Sequence, residues 1–230
     1  MIGGMSWESS LEYYRILNET IKNELGGLHS AKCLLYSLEF EEIERLQHSG
    51  NWDGLTEILV DAAKKLKLAG AESFIICTNT MHKTAEQIEK ESGLKLLHIA
   101  DAAGQAVCQR GLKKIALLGT KFTMEEDFYR KRLEDIYGLE VIVPPVKERD
   151  EIHRIIYEEL CQGDFKDASR ATFESIIEEL AAKGAEGIVL GCTEIPLLVR
   201  EQDSVLPIFD TMKLHAKAAA TWLLEQTDIK

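Results

Sequence analysis

The chain has 230 residues, 45% of them hydrophobic, and carries 39 acidic against 27 basic side chains, a formal net charge of −12. That length supports one large α/β domain or two smaller lobes, and the acidic balance argues against a nucleic-acid partner, which needs a basic surface. No apolar run approaches the roughly 20 residues of a membrane span and no charged-then-apolar leader opens the chain, so no membrane partner and a cytoplasmic location are expected.

Met1-Ile2-Gly3-Gly4 reads as the tail of a strand entering a glycine turn; either the first strand is nearly absent or the native start lies upstream. A helical period covers 8–24, an apolar strand 32–38, and helices 41–49 and 55–68. A strand over 73–77 leads into a helix over 81–92, with Thr78, Asn79 and Thr80 as caps. Then come strand 96–98, helix 101–110, strand 114–118, helix 125–137, strand 140–143 and helices 150–162 and 166–183. Strand 187–190, a short strand near 206–209 and a helix over 212–225 complete the chain. Strands alternating with longer helices predict α/β architecture with mainly parallel sheets flanked by helices.

Two stretches repeat one phrase: AGAESFIICTNT ends at Thr80 and KGAEGIVLGCTEIP ends at Pro196. Each follows an amphipathic helix, turns at Gly70 or Gly184, passes Ala-Glu, and runs through an apolar strand to a cysteine, Cys77 or Cys192, 115 positions apart. The second unit carries one extra residue, Gly191, which predicts a kink or a close backbone approach there.

The five cysteines, Cys33, Cys77, Cys108, Cys161 and Cys192, are odd in number and lack a CxxC pair, so reduced thiols and no metal site are expected. Cys33, Cys108 and Cys161 read as core residues. Cys77 and Cys192 stand where an apolar strand stops and polar residues begin, the edge of a parallel sheet at which ligands bind. A helix starting just after Cys77 would lower its thiol pKa. Two opposed thiols can invert a stereocentre, one removing a proton from one face while the other delivers a proton to the opposite face.

The strings IGGMSWESSLEYYRILN (2–18), GGLHSAKCLLYSLEFEEIE (26–44), CTNTMHK (77–83), HIADA (98–102), LLGTKFTME (117–125) and GCTEIPLL (191–198) carry a further resemblance. Through them the whole chain resembles the aspartate/glutamate racemase superfamily, most closely its cofactor-independent bacterial branch of aspartate/glutamate and broad-specificity amino-acid racemases.

The resemblance implies two pseudo-twofold-related α/β lobes, residues 1–98 plus 208–230 with Cys77 and residues 99–207 with Cys192, and an active site in the cleft. It implies a small amino-acid substrate, no cofactor and no metal, with Cys77 and Cys192 as the acid/base pair. Met5 and Ser6 of the first glycine turn, Gln47, Thr78, Asn79, Thr80, Thr120, Lys166, Thr193 and Glu194 are the implied substrate contacts, Glu194 as a partner for the α-ammonium. Thr120 and Thr123 have a second reading as helix caps. Gln47 stands where some aspartate-specific relatives carry arginine, which loosens strict acidic specificity. His82 reads as a residue tuning Cys77, His98 as a packed core histidine, and Trp7 as the aromatic nearest the cleft mouth. Relatives are often dimers, so a homodimer is among the assemblies the resemblance allows. Alternatives that stay open are racemisation of hydantoins, isomerisation of another small carboxylate, and amino-acid binding without turnover.

Overall fold

The computed structural model describes residues 1–226. It divides into two compact units, Met1–Ile99 with His215–Lys230, the latter described to Gln226, and Ala100–Leu214.

In the first unit, β1 (Ile2–Gly3) is followed by α1 (Trp7–Leu25), β2 (Tyr36–Ser37), α2 (Phe40–His48) and α3 (Trp52–Leu68). Then come β3 (Ser73–Phe74), a 3₁₀ turn at Thr80–Thr84, α4 (Ala85–Ser92) and β4 (Lys95–Leu96). β1 pairs in parallel with β2, and β3 with β4. A parallel bridge between Ile2 and Ile76 joins the two ribbons, giving the order β2-β1-β3-β4. The apolar faces of α3 and α4 cover these strands, with Leu55, Leu59, Ala62, Ala63, Ile76 and Ile88 wholly buried.

The second unit begins within α5 (Ile99–Gln109) and continues through β5 (Lys114–Gly119), α6 (Lys121–Glu125), α7 (Asp127–Tyr137), β6 (Glu140–Ile142) and α8 (Val146–Glu158). After a 3₁₀ turn at Leu160–Gln162 come α9 (Asp167–Ala182), β7 (Gly187–Gly191), α10 (Ile195–Leu198), β8 (Ile208–Asp210) and the start of α11 (Thr211–Gln226). Its four parallel strands run in the order β6-β5-β7-β8. Both sheets therefore place the third strand of their unit beside the first, on the side away from the second. The mixed α/β class with parallel sheets flanked by helices is as expected.

Several boundaries differ from the sequence reading. The strand expected over 32–38 is ordered as ladder only at Tyr36–Ser37, because its neighbour β1 offers only Ile2 and Gly3 for pairing. The helix expected over 81–92 is a 3₁₀ turn followed by α4. The helix expected over 125–137 is broken at Glu126, whose ψ of 151° is extended, leaving α6 and α7. α8 starts earlier than expected, directly after Pro145, a residue suited to a helix entrance. The crossing to the first unit falls at Leu214/His215 rather than 207/208, because β8 completes the second unit's sheet first.

Candidate functional site

In the first unit Cys77 lies at the carboxyl end of the third strand. Ile2 N–H donates to Ile75 O and Cys77 N–H donates to Ile2 O, both at 2.9 Å, so the thiol-bearing segment lies against the end of β1. The chain leaving β1 turns at Gly4, whose φ of +86° and close approach to the Leu38 backbone leave no room for a side chain. Gly4 N–H donates to Ser10 Oγ at 2.7 Å, and the same hydroxyl donates to Ser6 O at 3.0 Å. Ser6 caps α1 by accepting from Ser9 N–H, and Met5 packs into the unit's core. The Gly4–Ser6 loop is thus fixed on α1 beside the Cys77 segment. Ser10, which does the fixing, was not among the expected residues; a buried serine on an otherwise apolar helix face is the sequence signal for it.

The turn after Cys77 is held from two directions. Gln47, buried on α2, donates through Nε2 to Met81 Sδ at 3.2 Å, which brings this expected contact to the Cys77 turn. His82 Nδ1 lies 2.8 Å from Thr78 O, and Ile99 N–H donates to His82 Nε2 at 3.2 Å. A carbonyl only accepts, so Nδ1 carries the proton and Nε2 is the acceptor. Burial, then the neighbouring His98 and His215, holds the His82 pKa well below 6.5, in keeping with this neutral ring. His98 is also buried, its ring 4.5 Å from that of His82. His215 Nε2 donates to Leu97 O at 2.7 Å, and its Nδ1 accepts from the Tyr13 hydroxyl at 2.9 Å.

The expected lowering of the Cys77 pKa is overturned. Cys77 is fully buried, and burial pushes its thiol up to about 12. The helix that was to favour a thiolate is a five-residue 3₁₀ turn, and Asn79 makes no side-chain cap; so short a run of peptide dipoles offsets little of the desolvation. Cys108 also departs from expectation, being exposed, and Cys33 and Cys161 are only half-buried. Trp7, at 64% exposure, is open to solvent.

In the second unit β5 and β7 are neighbours paired to their last residues, Gly119 and Gly191. Thr120, next after β5, accepts from Thr123 N–H at 3.4 Å and caps α6, with the two hydroxyls 3.3 Å apart. A Cβ at Gly191 would stand 2.9 Å from Thr123 Cγ2 and 3.2 Å from Leu118 O, and a Cβ at Gly119 would stand 2.6 Å from Gly191 O. The extra glycine of the second phrase is therefore a close backbone approach within the strand pair. Cys192 follows it, buried against the unit's main core.

Cys192 Sγ donates to Glu194 Oε2 at 3.0 Å, and Thr193 Oγ1 donates to the same oxygen at 2.8 Å. Burial first, then the Glu194 charge, pushes the Cys192 thiol well above its ordinary range. Lys166, expected at the substrate, is half-exposed and pairs with Asp164 at 3.2 Å and Glu159 at 3.5 Å. Glu159 is itself buried and accepts from Ser169 Oγ and Arg154 Nη1. Among the described residues no group of three or more His, Cys, Asp or Glu side chains could hold a metal ion.

Each unit thus gathers its own set: Gly4–Ser6, Gln47 and Cys77–Thr80 in the first, Thr120 and Cys192–Glu194 in the second. In both, the cysteine ends the third strand and the other loop leaves the first, at the point where a doubly wound parallel sheet reverses direction. Among known proteins, a Yersinia pestis protein assigned as an Asp/Glu racemase has a crystal structure similar to this one, with 53% identity and a TM-score of 0.91 over 97% of both chains. An aspartate racemase homologue from Pyrococcus horikoshii is 36% identical, with a TM-score of 0.83 over 97% of both chains. The broad-specificity amino-acid racemase RacX of Bacillus subtilis is 25% identical over 179 residues, 76% of this chain and 75% of that protein. With residues 2–219 matched by the family model for Asp/Glu/hydantoin racemases, the chain belongs to that family.

Proposed function

We propose that this protein is a cofactor-independent amino-acid racemase, acting on aspartate, glutamate or a broader range, with Cys77 and Cys192 as its two acid/base groups. The observation that carries the reading is that each thiol stands at the end of the third strand of a sheet with the same strand order, just before a polar turn. The thiolate of one cysteine removes the α-proton, and the thiol of the other delivers a proton to the opposite face. Backbone N–H groups and hydroxyls of Thr78, Asn79 and Thr80 hold the α-carboxylate and stabilise the negative charge that spreads onto its oxygens. Met5, Ser6, Gln47, Thr120, Lys166, Thr193 and Glu194 are the remaining candidate contacts, Glu194 toward the α-ammonium. A cytoplasmic location and a homodimer belong to the same reading.

Both thiols rest protonated because both are buried, so one must lose its proton when substrate arrives. The family's name favours a second substrate class, hydantoins, whose acidic ring carbon needs the same pair of groups. The test is an α-deuterium wash-in in heavy water over amino acids of both hands, with hydantoins alongside and chiral chromatography of the products. Exchange at the α-carbon with inversion is expected, and Cys77→Ser and Cys192→Ser should each slow racemisation by about 10²- to 10⁴-fold. Wild-type rates in both single variants would overturn the mechanism.

A further inference from the structure

The ring of His82 spans two stretches of backbone in the first unit. Nδ1 donates to Thr78 O at 2.8 Å, in the turn that follows Cys77, and Nε2 accepts from Ile99 N–H at 3.2 Å. Both ring nitrogens are thus committed to backbone, which leaves neither for a thiol. His82 therefore bears on the shape of the turn and not on the proton of Cys77. The far end of this brace is itself secured, because His215 Nε2 donates to Leu97 O at 2.7 Å, two residues before Ile99. The three histidine rings pack together, those of His98 and His215 lying 4.5 and 5.7 Å from that of His82, and all three residues are buried.

We propose that His82 is the positioning residue of the carboxylate-binding turn, fixing the Thr78–Asn79 peptide so that the Asn79 N–H is presented to the substrate's α-carboxylate. This peptide is trans, with its C=O and N–H on opposite sides. Holding Thr78 O toward the ring aims the Asn79 N–H away from it. A flipped peptide would instead present an oxygen, with its partial negative charge, where the carboxylate needs a donor. A donor fixed in advance also meets the charge that spreads onto the carboxylate oxygens without reorganising as the α-proton leaves. Histidine suits this task because one rigid ring carries a donor on one edge and an acceptor on the other, so the turn is referred to the 97–99 segment. A side-chain amide of asparagine or glutamine reaches one of the two stretches but not both.

The inference rests on the racemase reading, and its test separates the two. In ligand-free wild type, nitrogen NMR spectra of the imidazoles at neutral pH should show His82 protonated at Nδ1 and bare at Nε2; the reverse tautomer overturns the proposal. Two variants then divide the ring's bonds. His82→Asn sets an amide N–H near the place of Nδ1, keeping the donor to Thr78 O and giving up the acceptor for Ile99. His82→Gln sets an amide oxygen near the place of Nε2 and does the opposite. His82→Asn leaves the buried Ile99 N–H without an acceptor and should have the lower thermal midpoint of the two. His82→Gln should nevertheless be the poorer enzyme, with KM for aspartate or glutamate raised about 10-fold and kcat/KM lowered about 10²-fold, and His82→Asn should recover most of that loss. Without ligand, the Asn79 amide resonance should move in His82→Gln and lie close to its wild-type position in His82→Asn. A merely structural residue would make the less stable variant the less active one. That order, equal losses in both variants, or an unmoved Asn79 resonance in His82→Gln overturns the proposal. The expected Asn79 shifts in a protein that exchanges no α-proton on any amino acid or hydantoin overturn the racemase reading and uphold the anchoring of the turn.

Discussion

Gly119 and Gly191 face each other at the end of one strand pair, and neither can gain a methyl without meeting backbone. At Gly119 the obstacle is the carbonyl oxygen of Gly191, 2.6 Å from where the Cβ would stand, which no rotamer change can move. Gly119→Ala should therefore destabilise the protein by about 1–3 kcal/mol, the usual cost of overpacking, and should shift the peptide that precedes Cys192. Urea unfolding midpoints measure the first effect and racemase activity the second; an unchanged midpoint would mean the strand pair relaxes freely. At this scale the sequence was informative about identity and poor about electrostatics. The duplicated strand-to-cysteine phrase singles out both thiols, and the inserted Gly191 foretells the close approach. The ionisation of Cys77 could not be read that way, because local sequence showed a helix start nearby but not the complete burial that outweighs it. Nor could the contact between Cys192 and Glu194, which depends on side-chain direction, and spacing along the chain does not give that.

Elements long enough to repeat a period were legible, and elements fixed by a single contact were not. α3 and α9 announce themselves through sustained amphipathic spacing, whereas α10 is four residues held after a strand and left no period to detect. The strands of the first unit were expected too long, because an apolar run marks burial while a ladder also needs a partner of equal length. The loop from Gly4 to Ser6 shows how one side chain secures an element's start. Ser10 Oγ accepts from Gly4 N–H and donates to Ser6 O, so Ser10→Ala leaves a buried donor without its acceptor. The expected cost is about 1–3 kcal/mol, visible as a lower thermal midpoint, together with faster hydrogen exchange at Gly4. Protection at Gly4 equal to wild type would show that the loop is held by other contacts.

For the whole molecule, the acid limb of stability should carry the signature of His82. Its folded pKa lies below 6.5, so above that value the ring is neutral in both states and its contribution is complete. As pH falls through 6.5 toward the folded value, the unfolded chain takes up a proton the native ring refuses, and stability declines. The slope from this one group is at most about 1.4 kcal/mol per pH unit. Urea titrations in a pH series should show a shallower decline for His82→Asn than for wild type, and equal slopes would assign the acid sensitivity elsewhere.

The shared strand order of the two units was foreshadowed by the repeated phrase, but the exact crossings were not, since nothing in the composition of 207–215 marks where one unit yields to the other. Those crossings have a consequence for how the protein is made. The first unit is discontinuous: His215, whose ring joins Tyr13 to Leu97 O, lies beyond the entire second unit. A chain emerging from the ribosome amino end first can close its second unit as soon as Leu214 is clear, while the first still lacks the histidine that ties α1 to Leu97. The half of the protein encoded first is the half that finishes last.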